Sequence, residues 1–351
     1  MTTMYEDFAP RLLEWFDSHG RHDLPWQHPR TPYRVWLSEI MLQQTQVATV
    51  IPYFLRFVEK LQSIKSLADA SEDEVFALWS GLGYYSRARN LHRAARLCVQ
   101  RHGGELPGDF DNLMALPGIG RSTAGAILAQ AFNHRCAILD GNVKRVLARF
   151  HGIDGWPGQT ATESRLWELA DAHTPDTRVA DYTQAIMDLG AGVCTRAKPR
   201  CDACPMQADC IARRDNLTAA LPARKPTKAR PTRRTVMLVL RDAHGRMLLE
   251  RRPPTGVWAG LWSLPEATDE AAARSDIARA HAIDANAIVF HPLPPFVHGF
   301  SHYSLDVTPL AVDVESARTV ADDADRRWLH PHEAAALGLP APVRKLIESL
   351  S

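Results

Sequence analysis

The sequence predicts two domains of different class, an all-α domain followed by an α+β domain. Apolar residues in the first 220 positions recur at helical spacing, whereas from residue 235 onward they form short β-type runs separated by turns. Residues 221–234 lie between these parts and contain three prolines, six basic residues and no acid, a composition typical of a linker. A chain of 351 residues is long enough to build two hydrophobic cores. We therefore expect domains at residues 1–220 and 235–351.

Composition and charge are those of an ordinary globular protein, with 45% hydrophobic and 23% charged residues. The sequence shows neither an apolar run of membrane-spanning length nor the basic start and apolar stretch of a signal peptide, so we expect a cytoplasmic protein with no membrane partner. Residues 1–234 carry 30 basic and 25 acidic side chains, whereas residues 235–351 carry 11 and 15. The excess positive charge lies in the first part, which weakly favours a polyanionic partner there.

One stretch of the first domain, beginning at Leu116, reads LPGIGRSTAGAIL. Pro117 ends any preceding helix because it lacks an N–H, and Gly118 and Gly120 permit a tight reversal of the chain. An alanine-rich run of good helix propensity follows, so residues 110–131 are predicted to form a helix, a hairpin and a second helix. Such a hairpin directs backbone N–H groups from a helix N-terminus toward an anion, which we expect to be a DNA phosphate.

Two acidic residues of this domain lie in segments that are predicted to form or begin a helix. Glu39 lies within a helical repeat over residues 35–45. A glutamate in such a helix is most often a solvated surface charge, but the apolar neighbours of Glu39 allow partial burial, which would raise its pKa. Asp140, in ILDGNVKR, is predicted to cap the helix at residues 143–150, and a helix N-terminus favours the ionised carboxylate. If the fold brings the two residues together, they would supply a proton donor and an anion to one site.

Four cysteines fall within 17 residues at the spacing C-x6-C-x2-C-x5-C. They are Cys194, Cys201, Cys204 and Cys210. Four thiolates at this spacing can hold either zinc or an iron–sulfur cluster, and the spacing alone does not separate the two. The loop between the first two cysteines carries three basic residues and no acid, which suits contact with phosphate.

Together these motifs closely resemble the helix-hairpin-helix DNA glycosylases of the endonuclease III superfamily, and within it the MutY-type adenine DNA glycosylases. LPGIG, ILDGNVKR, WLSEIMLQQTQVATVIPYF and the cysteine spacing carry the resemblance, which covers nearly the whole chain. It implies a monomeric base excision repair enzyme that removes adenine mispaired with guanine or 8-oxoguanine in double-stranded DNA. It also implies that Glu39 is the general acid, that Asp140 stabilises the cation-like sugar, and that the cysteine loop at residues 194–210 holds one 4Fe-4S cluster.

The same resemblance implies further contacts with the base and the DNA. Leu24 and Trp26 would line the base pocket and Gln184 would face the adenine, although from the residues alone the first two fit core packing equally well. Tyr84, in WSGLGYYSRAR, would be the wedge beside the mismatch, while its neighbour Tyr85 fits an anchor of the loop. The remaining predicted contacts are Gln43, Gln44, Leu116, Gly118, Gly120 and Ser122.

Ser122 bears on the subtype of the reaction. Relatives that also cut the DNA backbone carry a lysine at this position, which forms a Schiff base with the sugar, and a serine hydroxyl cannot do so. The sequence therefore predicts base removal by water without efficient strand cleavage, with Lys144 as the source of any minor adduct. A bifunctional glycosylase and lyase for oxidised pyrimidines, and a non-catalytic iron–sulfur DNA-binding protein, are the alternatives.

The second domain resembles the Nudix-like C-terminal domain of the same family through GVWAGLWSLPE and HGFSHYSLDV. A Nudix hydrolase would carry a metal-binding R-E-x-x-E-E cluster after LPE, and this chain reads ATDEAAARSDIARAH there, so we expect no nucleotide hydrolysis. Phe300, Ser301 and His302 match the family's loop for 8-oxoguanine, although without the resemblance a simple hairpin turn is the favoured interpretation. Strands are predicted at VMLVL, MLLE, AIVF and SLDVTPLAV, with helices over residues 274–282 and the last dozen residues.

Overall fold

The computed structural model describes residues 7–225, 230–300, 302–314, 324–334 and 336–350. The chain divides into two compact units. The helical unit comprises residues 1–69 and 90–227, and the sheet unit comprises residues 70–89 and 228–351. A segment of 20 residues from the predicted helical domain thus groups with the C-terminal part of the chain.

Helices dominate the described chain up to residue 225, as the sequence predicts. They are α1 (Phe8–His19), α2 (Pro32–Leu42), α3 (Val47–Lys60), α4 (Ile64–Asp69), α5 (Glu72–Trp79), α6 (Ser86–Arg101), α7 (Phe110–Met114), α8 (Arg121–Phe132), α9 (Gly141–Phe150), α10 (Thr160–His173), α11 (Val179–Asp188) and α12 (Ile211–Arg214). A π-helical turn at Leu189–Val193 continues α11, and a 3₁₀ turn spans Cys201–Ala203. Among the described residues, no helix is both long enough and apolar enough to cross a bilayer.

The predicted helix-hairpin-helix is formed by α7 and α8. Gly118 at the reversal has φ of +83°, and a Cβ added there would lie 3.0 Å from Cβ of Asn90, so both conformation and space favour glycine. The second helix ends at Asn133, which adopts the left-handed conformation common at helix C-termini. This part of the fold is confirmed.

One core of the helical unit gathers around α9. Leu147 and Phe150 of α9 are buried with Phe8, Leu166 and Ile186 from three other helices. Cys194, Cys204 and Cys210 are partly buried against the same core. The helix that begins at Asp140 therefore also supports the cysteine loop.

The described part of the sheet unit beyond residue 230 contains one eight-stranded sheet with helices beside it. The strands are β1 (Thr232–Asp242), β2 (Met247–Arg251), β3 (Trp262–Ser263), β4 (Glu266–Ala267), β5 (His291–Pro292), β6 (Phe296–Gly299), β7 (Ser304–Val314) and β8 (Arg326–Leu329), and the helices are α13 (Glu270–His281), α14 (Pro331–Ala334) and α15 (Ala341–Glu348). The main order is β3-β2-β1-β7-β5, with β1 and β7 parallel over 11 residue pairs. Met237 and Val239 of β1 enter one core while Val236, Leu238 and Leu240 enter another, so this strand is buried on both faces.

Two expectations differ from the structure in this region. The strand predicted at AIVF is wrong: residues 285–287 form a 3₁₀ turn that the Asp284 side chain caps, and Val289 is exposed. The predicted linker at residues 221–234 overlaps β1, because Thr232 already pairs with Ser304. Residues 226–229 of that linker lie outside the described residues.

Candidate active site

A cavity of about 1,960 Å³, including its open mouth, lies in the helical unit. Its walls come from the loop before α2, the C-terminal end of α2, and the first turns of α8 and α9. The sequence-predicted residues among its lining are Leu24, Trp26, Glu39, Gln43, Gln44, Ser122, Asp140 and Gln184. Residues that span 160 positions of the chain are thus brought to one polar cavity.

Glu39 is partly buried near the C-terminal end of α2. Its Oε1 accepts a hydrogen bond of 2.9 Å from Nε2 of Gln130. Burial raises the pKa of Glu39 from 4.5 to about 7; the charge of Asp140 adds to the increase, and the bond from Gln130 opposes it. The carboxyl group can therefore hold a proton near neutral pH, as the sequence predicts.

Asp140 is the N-cap of α9, as predicted. Its Oδ1 accepts hydrogen bonds from the backbone N–H groups of Asn142 at 2.9 Å and Val143 at 2.8 Å. The expected lowering of its pKa is wrong in direction. Burial raises the pKa of Asp140 above its usual value, and the cap bonds and the charge of Arg145 only partly offset this effect.

The two carboxylates nevertheless remain unequal. The negative charge of an ionised Asp140 adds to the raised pKa of Glu39. Asp140 accepts three hydrogen bonds from Asn142 and Val143, whereas Glu39 accepts one from Gln130. Asp140 therefore has more hydrogen-bond donors to stabilise a negative charge than Glu39 has.

Gln184 is buried at the wall of the cavity. Its Nε2 donates to Oδ1 of Asp188 at 2.7 Å, and its Oε1 accepts from Nε2 of Gln27 at 3.3 Å. Asp188 also accepts bonds of 2.6–2.9 Å from the guanidinium and the backbone N–H of Arg21. This network fixes the Gln184 amide at the cavity wall.

Leu24 and Trp26 are packed in the core and also line the cavity. They are only 5% and 3% exposed, respectively, and both line the cavity. Trp26 packs edge-on against Phe54 with 5.4 Å between ring centroids. Core packing therefore holds an apolar wall of the cavity in place.

Ser122 links the hairpin to the segment that precedes Asp140. Its Oγ accepts a hydrogen bond of 2.9 Å from the N–H of Leu139, the residue before Asp140. Lys144 pairs with Glu163, with 2.6 Å between Nζ and Oε1, and is not among the lining residues. The hydroxyl at this position thus supports backbone geometry near Asp140.

The hairpin presents the N-terminus of α8. Gly120 caps this helix without a side chain, so the amides of the first turn are left for an external acceptor. Leu116 is buried and supports the hairpin from inside. Gln43 reaches the hairpin through a long bond of 3.4 Å from its Nε2 to the carbonyl of Gly118, while Gln44 is exposed at the cavity with a left-handed backbone, φ +59°.

Tyr84 belongs to the sheet unit, in the loop between α5 and α6. It is 53% exposed and adopts a left-handed backbone, with φ of +49°. Tyr85 beside it is half-buried and its hydroxyl donates to the carbonyl of Leu339 at 2.8 Å. The prediction of Tyr85 as an anchor of this loop is confirmed.

An aromatic cluster surrounds the end of β6 in the sheet unit. Phe300 lies 4.6 Å from His298, 4.7 Å from Tyr303 and 5.4 Å from Trp258, measured between ring centroids. The N–H of Phe300 donates to the carbonyl of Tyr303 at 2.8 Å, which closes a tight turn, and His302 lies at that turn. Ser301, the middle residue of the predicted loop, lies outside the described residues.

The four predicted ligand cysteines line one cavity of about 300 Å³ in the helical unit. All four are free thiols. Arg149 also lines this cavity and donates from Nη1 to Sγ of Cys194 at 3.4 Å. Within the described parts of the chain, no three ligand side chains converge on one point as they would around a single ion. Four cysteine thiols are a donor set that suits either zinc or an iron–sulfur cluster.

Comparison with known proteins decides the family. Residues 37–172 match the profile of the HhH-GPD superfamily base excision DNA repair proteins, and residues 236–349 match a NUDIX domain. An adenine DNA glycosylase of Buchnera aphidicola (subspecies Acyrthosiphon pisum, strain APS) is 36% identical and covers 97% of both chains. The chain belongs to the adenine DNA glycosylase family. It is therefore a DNA N-glycosylase of base excision repair.

Other relatives of this glycosylase agree. An adenine DNA glycosylase of Mus musculus is 37% identical over 97% of this chain and 77% of its own length. A solved thermostable thymine-DNA glycosylase has 28% identity and a TM-score of 0.55, and the match covers 60% of this chain and 97% of that one. An endonuclease III–DNA complex shares the fold, with a TM-score of 0.52 at 22% identity over 62% of this chain and 99% of the other.

The structure adds residues to this glycosylase's site that sequence reasoning missed. Asn142 and Arg145 follow Asp140 within the same motif, so their position there was an available signal. Gln27 likewise follows Trp26 directly. Gln130 gave no local signal, because its partner Glu39 lies 91 positions away. Arg21 and Asp188 gave none either, because 167 positions separate them.

Proposed function

We propose that this glycosylase hydrolyses the N-glycosidic bond of adenine paired with 8-oxoguanine or guanine and leaves the DNA strand uncut. One observation carries the proposal: Glu39 and Asp140 share a cavity but have unequal hydrogen bonding. Loss of adenine needs a proton on the departing base and negative charge beside the cation-like sugar. A protonated Glu39 and an ionised Asp140 supply both.

In this proposal the adenine is flipped out of the duplex into the cavity. Leu24 and Trp26 form its apolar wall, and the fixed amide of Gln184 offers a hydrogen-bonding edge. Glu39 donates its proton to the base as the bond to the sugar breaks. Asp140 stabilises the sugar cation, which a water molecule then captures.

The absence of a lyase step is supported by the two residues nearest to that chemistry. Ser122 has no amine, and its hydroxyl is occupied by the N–H of Leu139. The amine of Lys144 is held by Glu163 in a bond of 2.6 Å. A Schiff base with the sugar needs a free amine in the cavity. Hydrolysis is therefore favoured over strand cleavage.

Recognition of the base opposite the adenine is assigned to the sheet unit. Phe300 and His302 stand at a tight turn within an aromatic cluster. Phe300 is half-buried and His302 is exposed, so the accessible part of either ring can contact a base. Ser301 completes the loop that the family resemblance implies. This part of the proposal includes preference for 8-oxoguanine over guanine.

We also propose that the four cysteines hold one 4Fe-4S cluster. The four thiols line one cavity, and their C-x6-C-x2-C-x5-C spacing is that of the 4Fe-4S loop in the endonuclease III-like proteins that the chain resembles. The bound cluster would brace the loop from residue 194 to residue 210 and present Arg196, Lys198 and Arg200, which are exposed, to the DNA backbone. Iron and sulfide analysis of the purified protein tests this, and a colourless protein with stoichiometric zinc would refute it.

The proposal further includes a monomer acting on double-stranded DNA in the cytoplasm, at the nucleoid. Its test uses one end-labelled duplex that carries adenine opposite 8-oxoguanine, read before and after hot alkali. Cleavage only after alkali is expected. Cleavage without alkali would favour the bifunctional lyase, and bound but uncut DNA in both lanes would favour a non-catalytic DNA-binding protein or another target base.

A further inference from the structure

The segment at residues 70–89 is part of the sheet unit, although helices of the helical unit precede and follow it in the chain. It contains α5 and the glycine-rich loop that carries Tyr84. Two separate attachments join it to the strands and helices beyond residue 230.

The first attachment is at Asp73, on α5. Its two carboxylate oxygens accept bonds of 3.0 and 2.8 Å from Nη2 of Arg251, on β2. Its Oδ1 also accepts a bond of 3.2 Å from the indole N–H of Trp262, on β3. The side chains of Asp73 and Arg251 are only 25% and 22% exposed, so solvent screens this pair less than an ordinary surface pair.

The second attachment lies at the end of α5 and in the loop. Nη2 of Arg344, on α15, donates to Oγ of Ser80 at 2.8 Å. The hydroxyl of Tyr85 donates to the carbonyl of Leu339, as described above. A Cβ added at Gly338 would lie 2.4 Å from Cβ of Phe76, so this glycine lets α5 approach closely.

Between these attachments the loop is held in a strained form. The indole N–H of Trp79 donates to the carbonyl of Gly83 at 3.0 Å, and Arg87 donates to the same carbonyl at 3.2 Å. Tyr84 follows directly, exposed and left-handed. A bulky residue in this conformation costs ~1 kcal/mol or more, and it persists only where the surroundings enforce it.

We propose that the sheet unit holds Tyr84 ready to enter the DNA, with Asp73 as its main positioning residue. The inference rests on the proposed function, in which Tyr84 is the wedge beside the mismatch. One folded unit then carries both the wedge and the Phe300–His302 turn that contacts the opposite base. Weakening the bonds that Asp73 makes to Arg251 and Trp262 should therefore reduce the distortion of DNA by Tyr84. Glu39 and Asp140 would be unchanged.

The first test measures unstacking with 2-aminopurine placed next to 8-oxoguanine in the duplex. The wild-type protein should raise the fluorescence of this base, and Tyr84→Ala should abolish most of the increase. Asp73→Asn, which keeps the shape but removes the charge, should do the same. Glu74→Gln is the matched control, because Glu74 is the next residue of α5 and is exposed; it should behave as wild type.

The second test is a double-mutant cycle on the single-turnover rate of adenine release. Asp73→Asn should slow release by about tenfold in the wild-type background and by less than about twofold in the Tyr84→Ala background, because coupled residues are not additive. Equal effects in both backgrounds would overturn the inference, since Asp73 would then act without Tyr84. The inference would also be overturned if Asp73→Asn raised the 2-aminopurine fluorescence as much as the wild-type protein does.

Ser80→Ala keeps the inference falsifiable if Asp73→Asn does not fold. It removes the acceptor for Arg344 at the second attachment and should reduce unstacking in the same way, with the melting temperature as a check on folding. The proposed function fails separately, if the wild-type protein releases no adenine from this duplex. The fluorescence measurement still tests Asp73 and Tyr84 in that case.

Discussion

The carboxylate cavity of the helical unit and the aromatic turn of the sheet unit are built by opposite means. In the cavity, partly buried polar groups are held by hydrogen bonds, such as Gln130 to Glu39 and the cap bonds of Asp140. At the turn, Phe300 and His302 are held by ring contacts, and Trp258 beside them has a strained backbone with φ of +57°. Bond cleavage needs charges fixed before the substrate arrives. Reading a base needs exposed rings that can stack on it.

The sharpest test of this contrast is Glu39→Gln. The amide keeps the shape but cannot donate the proton, so adenine release should slow by about 10³-fold, a typical share for a general acid. Single-turnover kinetics on the 8-oxoguanine duplex measure it, and binding should remain. Glu59→Gln, at an exposed position of α3, is the control. Retained turnover would remove Glu39 from its role.

Asp140→Asn separates the charge of Asp140 from its capping function. Asparagine is as good an N-cap as aspartate, so α9 and the melting temperature should change little. The loss of negative charge beside the sugar should slow adenine release by roughly 10²-fold. An unchanged rate would mean that Asp140 serves only the helix.

The pH dependence tests the environment of Glu39. Its protonated form is the active one, so the rate should fall about tenfold per pH unit above the pKa of about 7. The rate should also fall at lower pH, where Asp140, whose pKa burial raises, becomes protonated. Because the pKa is raised in the folded state, the wild-type free energy of unfolding should decrease relative to Glu39→Gln as pH rises from 4.5 to about 7, by up to ~3 kcal/mol. If the difference in unfolding free energy between the two proteins did not change with pH, the burial of Glu39 would be contradicted.

Phe300→Ala tests the aromatic turn of the sheet unit. It should lower the preference for 8-oxoguanine over guanine by about tenfold, the loss expected for one stacked ring. Release of adenine from the guanine mispair should change little, because the carboxylate cavity is intact. Rates on the two duplexes measure this, and equal losses on both would show that the ring serves only folding.

The smallest expected effect is that of Ser122→Ala. It removes one partly buried acceptor from the N–H of Leu139, which should lower the free energy of unfolding by about 1 kcal/mol. Denaturant unfolding measures the change. Cleavage should still require alkali, since the variant gains no amine.

Local chemistry allowed the sequence to predict much of the helical unit and its site. The cap at Asp140, the reversal at Gly118 and the spacing of the four cysteines depend on residues close together in the chain. The strand predicted at AIVF failed because an apolar run does not reveal whether a neighbouring strand is present to pair with it.

Contacts between distant residues were decided only by the tertiary structure. Gln130 reaches Glu39 across 91 positions, and Arg21 reaches Asp188 across 167. The direction of the Asp140 pKa reversed the expectation, because burial is a sum over the surrounding fold whereas a cap is local. The sequence by itself therefore determined which residues could do the chemistry. The fold decided their protonation, their supporting partners and the grouping of Tyr84 with the sheet unit.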